Sequence, residues 1–137
     1  DLDGFKPVND RHGHSVGDEL LTVVAERLRS SVRAGDTVAR TGGDEFVIVA
    51  HGLAPEVAAR LAQTLLQRFD EPITLSVGVE QVRLTIGYAL GPLDDASAQS
   101  LLRMADQAMY EGKRRGKNCA VRALLDRASE VILATAS

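Results

Sequence analysis

The chain has 137 residues, 45% of them hydrophobic and 26% charged, with a net charge of −3. That length makes one domain, and the balance excludes a disordered, collagen-like or membrane-spanning chain, because no apolar run approaches the roughly 20 residues of a membrane helix. A single cysteine, Cys119, excludes an intrachain disulfide and a cysteine zinc cluster and fits a reducing compartment.

Asp1-Leu2-Asp3-Gly4-Phe5 reads as the exit of a strand, so the sequence is expected to be a fragment of a longer protein. Asp18–Val32 repeats Leu20, Val24, Leu28 and Val32 at four-residue spacing, which predicts an amphipathic helix. Thr37–Arg40 and Glu45–Val49 flank a Gly42-Gly43 turn and predict a hairpin. Pro55–Phe69 carries Val57, Leu61, Leu65 and Phe69 on one stripe, a second helix with proline in its tolerated first turn. Pro72–Val79 and Gln81–Leu90 read as strands joined around Gly78. Ser97 caps a third helix running to about Lys113 with Leu101, Ala105 and Met109 inward, and Gly116 ends it. Asn118–Arg122 reads as a return strand and 123–135 as a last helix. Helices and strands alternate with antiparallel pairing at the hairpin, which implies an α/β sandwich around one mixed sheet.

Charge is unevenly spread. Residues 1–50 hold nine acids and six bases, and residues 103–127 hold seven bases and three acids. Five small constellations carry possible chemistry, each with an ordinary alternative. Asp1-Leu2-Asp3 offers carboxylate and carbonyl oxygens suited to Mg²⁺, or only strand-end acids. Gly42-Gly43-Asp44-Glu45-Phe46 presents two acids on a turn that lets a phosphate approach the backbone, or a plain hairpin turn. Lys113-Arg114-Arg115-Gly116-Lys117 is a cationic helix end, or a complement to the helix dipole. Asn9 with Asp18 can read the donors of a guanine, or Asp18 caps a helix. Arg33 with Asp36 is an anion site, or a local ion pair.

These fragments occur together and in one order: Asp1 to Asp10, His12-Gly13-His14, Gly17-Asp18, Arg33-Ala34-Gly35-Asp36, Arg40 to Phe46, Thr85-Ile86-Gly87, and Ala105 to Tyr110 followed by Lys113 and Gly116-Lys117-Asn118. In this the chain closely resembles the GGDEF family of diguanylate cyclase domains over about residues 1–122. The resemblance implies an α+β fold with a mixed, mainly antiparallel central sheet wrapped by helices, similar to the polymerase palm and to nucleotidyl cyclases. It implies a GGDEF domain over 1–122, a helical extension over 123–137, and a helix and most of a first strand lying before Asp1 in the parent protein.

The reaction implied joins two GTP into cyclic di-GMP and releases two pyrophosphates, each domain of a homodimer holding one GTP. By position, Asp1, Asp44 and the carbonyl of Leu2 match the metal ligands, for two Mg²⁺ per site with Mn²⁺ an accepted substitute. Asp44 and Glu45 match the catalytic acids of the signature. Gly4 and Phe5 match the loop whose N–H groups hold the β- and γ-phosphates, Asn9 and Asp18 the guanine-reading pair, and Lys113 a phosphate-binding lysine. Lys117 stands where the family usually has Arg; it keeps the charge and loses the bidentate fork. Gly112 replaces a usual Ala, and Thr85 a frequent Ser. Arg33 and Asp36 match the RxxD site at which cyclic di-GMP, as product, inhibits.

The expected setting is the cytoplasm, in a bacterial signalling protein with an upstream sensory domain, a possible membrane tether and a possible downstream EAL phosphodiesterase domain, and with no nucleic-acid partner. A competing reading is a module that senses GTP or cyclic di-GMP and regulates a partner domain without turnover; intact Asp44 and Glu45 favour catalysis. The isolated chain is expected to be a weak enzyme, because the parent's upstream region would bring two domains together.

Overall fold

The computed structural model describes residues 1–91, 97–125 and 131–135. The chain divides into two compact units, Asp1–Arg83 and Leu84–Ser137, each taken here by itself.

The first unit begins with a two-residue strand, β1 (Leu2–Asp3), and a helix, α1 (Phe5–His12). The family resemblance took Gly4 and Phe5 as a phosphate-binding loop, and in the structure Phe5 opens a helix. Pro7 is the third helical residue, where its missing N–H breaks no intrahelical bond, and Val8 anchors the helix at 1% exposure. The second helix, α2 (His14–Ser30), buries Leu20, Leu21, Val24 and Leu28 of the expected stripe and ends before Val32, which is half-buried. It starts four residues before Asp18, so Asp18 lies inside the helix and not at its cap.

Strands β2 (Thr37–Gly42) and β3 (Glu45–Val49) form the expected antiparallel hairpin, with Arg40 opposite Phe46 and an irregularity between Arg40 and Gly42. Helix α3 (Pro55–Arg68) buries Ala58, Ala62 and Leu65, and Phe69 behind it is fully buried. The next hairpin is tighter than the sequence implied. Strands β4 (Ile73–Leu75) and β5 (Gly78–Glu80) pair within the stretch read as a single strand, and Gly78 opens β5 at φ 129° instead of joining two long strands. Side chains from α1 and α2 explain this. Glu19 accepts from the Ser76 backbone N–H at 2.6 Å and from its hydroxyl at 2.7 Å, holding the turn. Glu80 is held by Arg11 and His12, each at 3.0 Å. The loop between α3 and β4 is fastened by Arg27, which donates to the carbonyls of Arg68, Glu71 and Pro72 and lies 5.2 Å from the Phe69 ring centroid. A short strand, β6 (Arg83–Leu84), falls on the division between the units.

In the second unit β7 (Ile86–Tyr88) runs parallel to β8 (Ala120–Leu125), and β8 pairs antiparallel with β9 (Val131–Thr135). Helix α4 (Ala98–Arg114) connects β7 to β8, a parallel crossover of the usual kind. The Ser97 hydroxyl accepts from the Ser100 N–H, as expected of its N-cap. Met104, Ala108 and Gly112 are its buried stripe; Leu101, Ala105 and Met109, expected inward, are half-buried beside it. Gly87 sits where a β-carbon would lie 2.0 Å from the Ala105 carbonyl and 2.3 Å from the Met109 nitrogen, so helix and strand backbones meet there.

The α+β class holds, with strands distributed over separate small sheets. The helical extension over 123–137 does not hold where the structure describes it. Strand β8 runs through the expected boundary at 122, and Val131–Thr135 is a strand. The alanines and leucines that suggested a helix are good helix formers, but Val131 and Ile132 are β-branched and β8 presents an edge to pair with. Among the described residues no helix is long and apolar enough to cross a membrane.

Candidate active site

In the first unit the backbone of β1 meets the tip of the β2–β3 hairpin: the Leu2 N–H donates to the Asp44 carbonyl at 3.2 Å. This bond brings Asp1, half-buried beside Leu2, to the same end as Asp44. Asp3, two residues on from Asp1, is buried at 9% exposure, and Leu2 between them is buried too. Glu45 folds back over Gly42, where a β-carbon would lie 3.5 Å from its Oε2.

The carboxylates of Asp1 and Asp44 and the Leu2 carbonyl are hard oxygen donors. No group of three or more His, Cys, Asp and Glu side chains suited to a metal occurs among the described residues. A Mg²⁺ ion bound with nucleotide usually takes one or two carboxylates and completes its shell with water and phosphate. The residues present therefore fit such an ion.

Gly4 precedes α1 in the left-handed region, at φ 98°, with no side-chain cap and no acid in the first turn of the helix. The N–H groups of that turn, beginning at Phe5, suit an anion. Asn9, one turn on, packs against Gly17 of α2. A β-carbon at Gly17 would lie 2.3 Å from Asn9 Oδ1, so a side chain there would displace the amide. Asn9 Nδ2 is 3.1 Å from His14 Nδ1. The amide is thus held at the start of α2, next to the residue before Asp18.

Asp18 lines a cleft of about 410 Å³ together with Leu21, Thr22, Ala25, Arg40 and Phe46. The four α2 residues share one helix face. Arg40 and Phe46 are cross-strand partners on the hairpin and so share a sheet face. No hydrogen bond or ion pair holds the side chains of Asp18 or Arg40 among the described residues. Arg40 and Phe46 had no site role in the sequence reading. The hairpin prediction around Gly42-Gly43 already placed them opposite each other, but only the packing of α2 shows what they face.

The RxxD residues form a closed turn. The Arg33 backbone N–H donates to Asp36 Oδ2 at 3.0 Å, and its guanidinium donates to Oδ2 and Oδ1 at 3.3 Å each. The same guanidinium donates to the His51 carbonyl. Arg29 donates to the carbonyls of Ala34 and Asp36. Asp36 is 6% exposed, and the Arg33 guanidinium holds its carboxyl below the usual carboxylate range.

Lys113 and Lys117 belong to the second unit. Lys113 lies in the last turn of α4, and the Lys117 N–H donates to the Gly112 carbonyl at 3.0 Å. Gly116, Lys117 and Asn118 all take positive φ, at 116°, 67° and 48°. The left-handed conformation costs a β-carbon residue about 1–2 kcal/mol, so Lys117 sits under local strain.

The profile of the family described as "Diguanylate cyclase, GGDEF domain" matches residues 1–119. The chain is 48% identical over 118 residues to the bifunctional diguanylate cyclase/cyclic di-GMP phosphodiesterase MucR of Pseudomonas aeruginosa, covering 86% of this chain and 17% of MucR. It is 43% identical over 119 residues to the diguanylate cyclase TpbB of the same species, covering 85% of this chain and 27% of TpbB. The chain thus spans a small part of the length of these relatives. Among solved structures, the GGDEF domain of TpbB superposes with a TM-score of 0.88 at 41% identity, covering 92% of this chain and 80% of that one. The GGDEF domain of DgcB from Caulobacter crescentus, solved in complex with c-di-GMP, superposes with a TM-score of 0.75 at 28% identity, covering 89% and 73%. With the signature glycines and acids in place on the hairpin and the match extending over most of its length, this chain belongs to the GGDEF family of diguanylate cyclase domains.

Proposed function

We propose that this chain is a catalytic diguanylate cyclase domain, which condenses two GTP into cyclic di-GMP and two pyrophosphates across a dimer of domains. The observation that carries the reading is the bond between Leu2 and Asp44, which sets both acids of the metal-ligand pattern at one end of the first unit. Asp1, Asp44 and the Leu2 carbonyl would hold divalent metal, Mg²⁺ by the hardness of its donors, with a second ion and Mn²⁺ as variations on the same ligands. Bound there, the metal would supply charge neutralisation on the triphosphate.

The chain's own residues do the rest. The first-turn N–H groups from Phe5, after Gly4, receive the terminal phosphates. Asn9 and Asp18 take the guanine donors. Lys113 and Lys117 add positive charge for the leaving pyrophosphate. Glu45, beside Asp44, is the second acid of the signature and acts near the reacting hydroxyl. In cyclic di-GMP each phosphate bridges two nucleosides, so the 3′-hydroxyl that attacks an α-phosphate in line comes from the other GTP, held by a second domain. Arg33 and Asp36 form the product-inhibition site. GTP as substrate places the domain in the cytoplasm, in a parent protein whose other domains supply the signal.

The test is formation of cyclic di-GMP from GTP and Mg²⁺ by residues 1–137 over about a hundredfold range of protein concentration, beside a version extended upstream. Specific activity is expected to rise with concentration for the short chain and to be higher for the longer one. Tight GTP binding with no product in either protein would instead identify a sensing module without turnover.

A further inference from the structure

A guanine base has two polar edges of opposite kind. N1–H and the 2-amino group donate; O6 and N7 accept. The carboxylate of Asp18 accepts only, so it can serve the donor edge and leaves the acceptor edge facing into the cleft. Across that cleft stands Arg40, a planar fork of donors on the wall made by β2 and β3. Arg27, Arg29, Arg33 and Arg83 commit their forks to carbonyls or carboxylates of the protein. Arg40 does not among the described residues, although the carboxylate of Asp18, likewise unpaired among them, lines the same space. The two are held on different rigid elements, and a ligand with a donor edge and an acceptor edge would satisfy both. The cleft is open to solvent, with a volume of about 410 Å³. Phe46, opposite Arg40, offers an aromatic wall, and Leu21 and Ala25 an apolar one.

We propose that Arg40 is a specificity-determining residue that donates to O6 and N7 of the guanine while Asp18 takes N1–H and the 2-amino group. This rests on the reading of the chain as a GTP-binding domain. Paired donation from arginine to these two atoms is the commonest specific contact to guanine, and here it would exclude adenine, whose 6-amino group presents a donor at that position.

The test is binding of nucleoside diphosphates, which lack the leaving group for turnover, to the 137-residue chain by calorimetry. GDP is compared with 7-deaza-GDP, which lacks N7, and with IDP, which lacks the 2-amino group. The unaltered chain is expected to prefer GDP over each by about three- to tenfold, the worth of a hydrogen bond. Arg40→Ala should lose the preference against 7-deaza-GDP and keep the preference against IDP. Asp18→Ala should do the reverse. Arg40 is exposed on a hairpin, so unchanged circular dichroism is expected of its variants. If Arg40→Ala weakens GDP and 7-deaza-GDP equally, Arg40 acts as a charge on the phosphates and the proposal falls. No binding of GDP by the unaltered chain would overturn the functional reading itself.

Discussion

The Arg33–Asp36 turn and the Asp18–Arg40 cleft hold the same two kinds of side chain in opposite ways. In the turn the partners are three residues apart, so little chain must be closed to join them, and the fork of Arg33 meets both oxygens of Asp36. The His51 carbonyl takes a further N–H of that fork. In the cleft the acid is on a helix and the guanidinium on a strand, and no ion pair joins them among the described residues. A pair that is satisfied internally steadies its own loop and must open before Arg33 can bind anything else. A pair held apart keeps its hydrogen-bonding capacity for a ligand. Under the function proposed here, the closed pair is the regulatory site and the open one the substrate site, which is the order in which a ligand would have to do work on the protein.

The comparison breaks most severely at the open end. Asp44→Ala removes one of the two carboxylates proposed to bind metal, and turnover is expected to fall by more than about a hundredfold, beyond the usual loss for residues that only support metal ligands. Retention of a tenth of the activity in a cyclic di-GMP assay would remove Asp44 from the metal site.

Arg33→Ala strikes the closed pair. Inhibition by added cyclic di-GMP is expected to weaken by about tenfold or more, from loss of charge-assisted bonds, with the initial rate in its absence unchanged. Unchanged inhibition would leave the turn as a structural ion pair.

Gly17→Ala sharpens the contrast. Its methyl group would press on Asn9 Oδ1, a movable side-chain end, so the fold should survive while the amide leaves its place. GDP affinity is expected to fall about three- to tenfold, for one lost hydrogen bond, with product inhibition intact. Equal affinity would exclude Asn9 from base recognition.

The smallest effect concerns acid. The Asp36 pKa is lowered in the folded chain, first through its bond from Arg33, so the native state releases this proton more readily than the unfolded chain. Its contribution is complete above the ordinary carboxylate value of about 4 and is lost as pH falls through the lowered native value. The melting temperature of Asp36→Asn should lie below that of the unaltered chain near neutrality, and the gap should close below about pH 4. A gap independent of pH would show that the carboxylate charge is not what Arg33 holds.

What the sequence by itself determined was whatever depends on local order. The 3.6-residue stripe of Leu20, Val24 and Leu28, the paired glycines at 42 and 43, and the Ser97 cap each specify an element through neighbours in the chain, and each formed. The motif order also sufficed for the family. Tertiary structure decided what depends on partners distant in sequence. Phe5–His12 is weakly apolar, yet it is a helix anchored by the buried Val8. Ile73–Glu80 looks like one strand, yet Glu19, Arg11 and His12 grip it as a hairpin. Val131–Thr135 pairs with β8 because an edge strand offers hydrogen bonds that helix propensity alone does not weigh. The same distinction separates Arg33, whose partner three residues away is legible in the RxxD spacing, from Arg40. Its position facing Asp18 comes from α2 packing beside the hairpin, and a charge pair set by the distance between two rigid elements leaves no periodic mark in the chain.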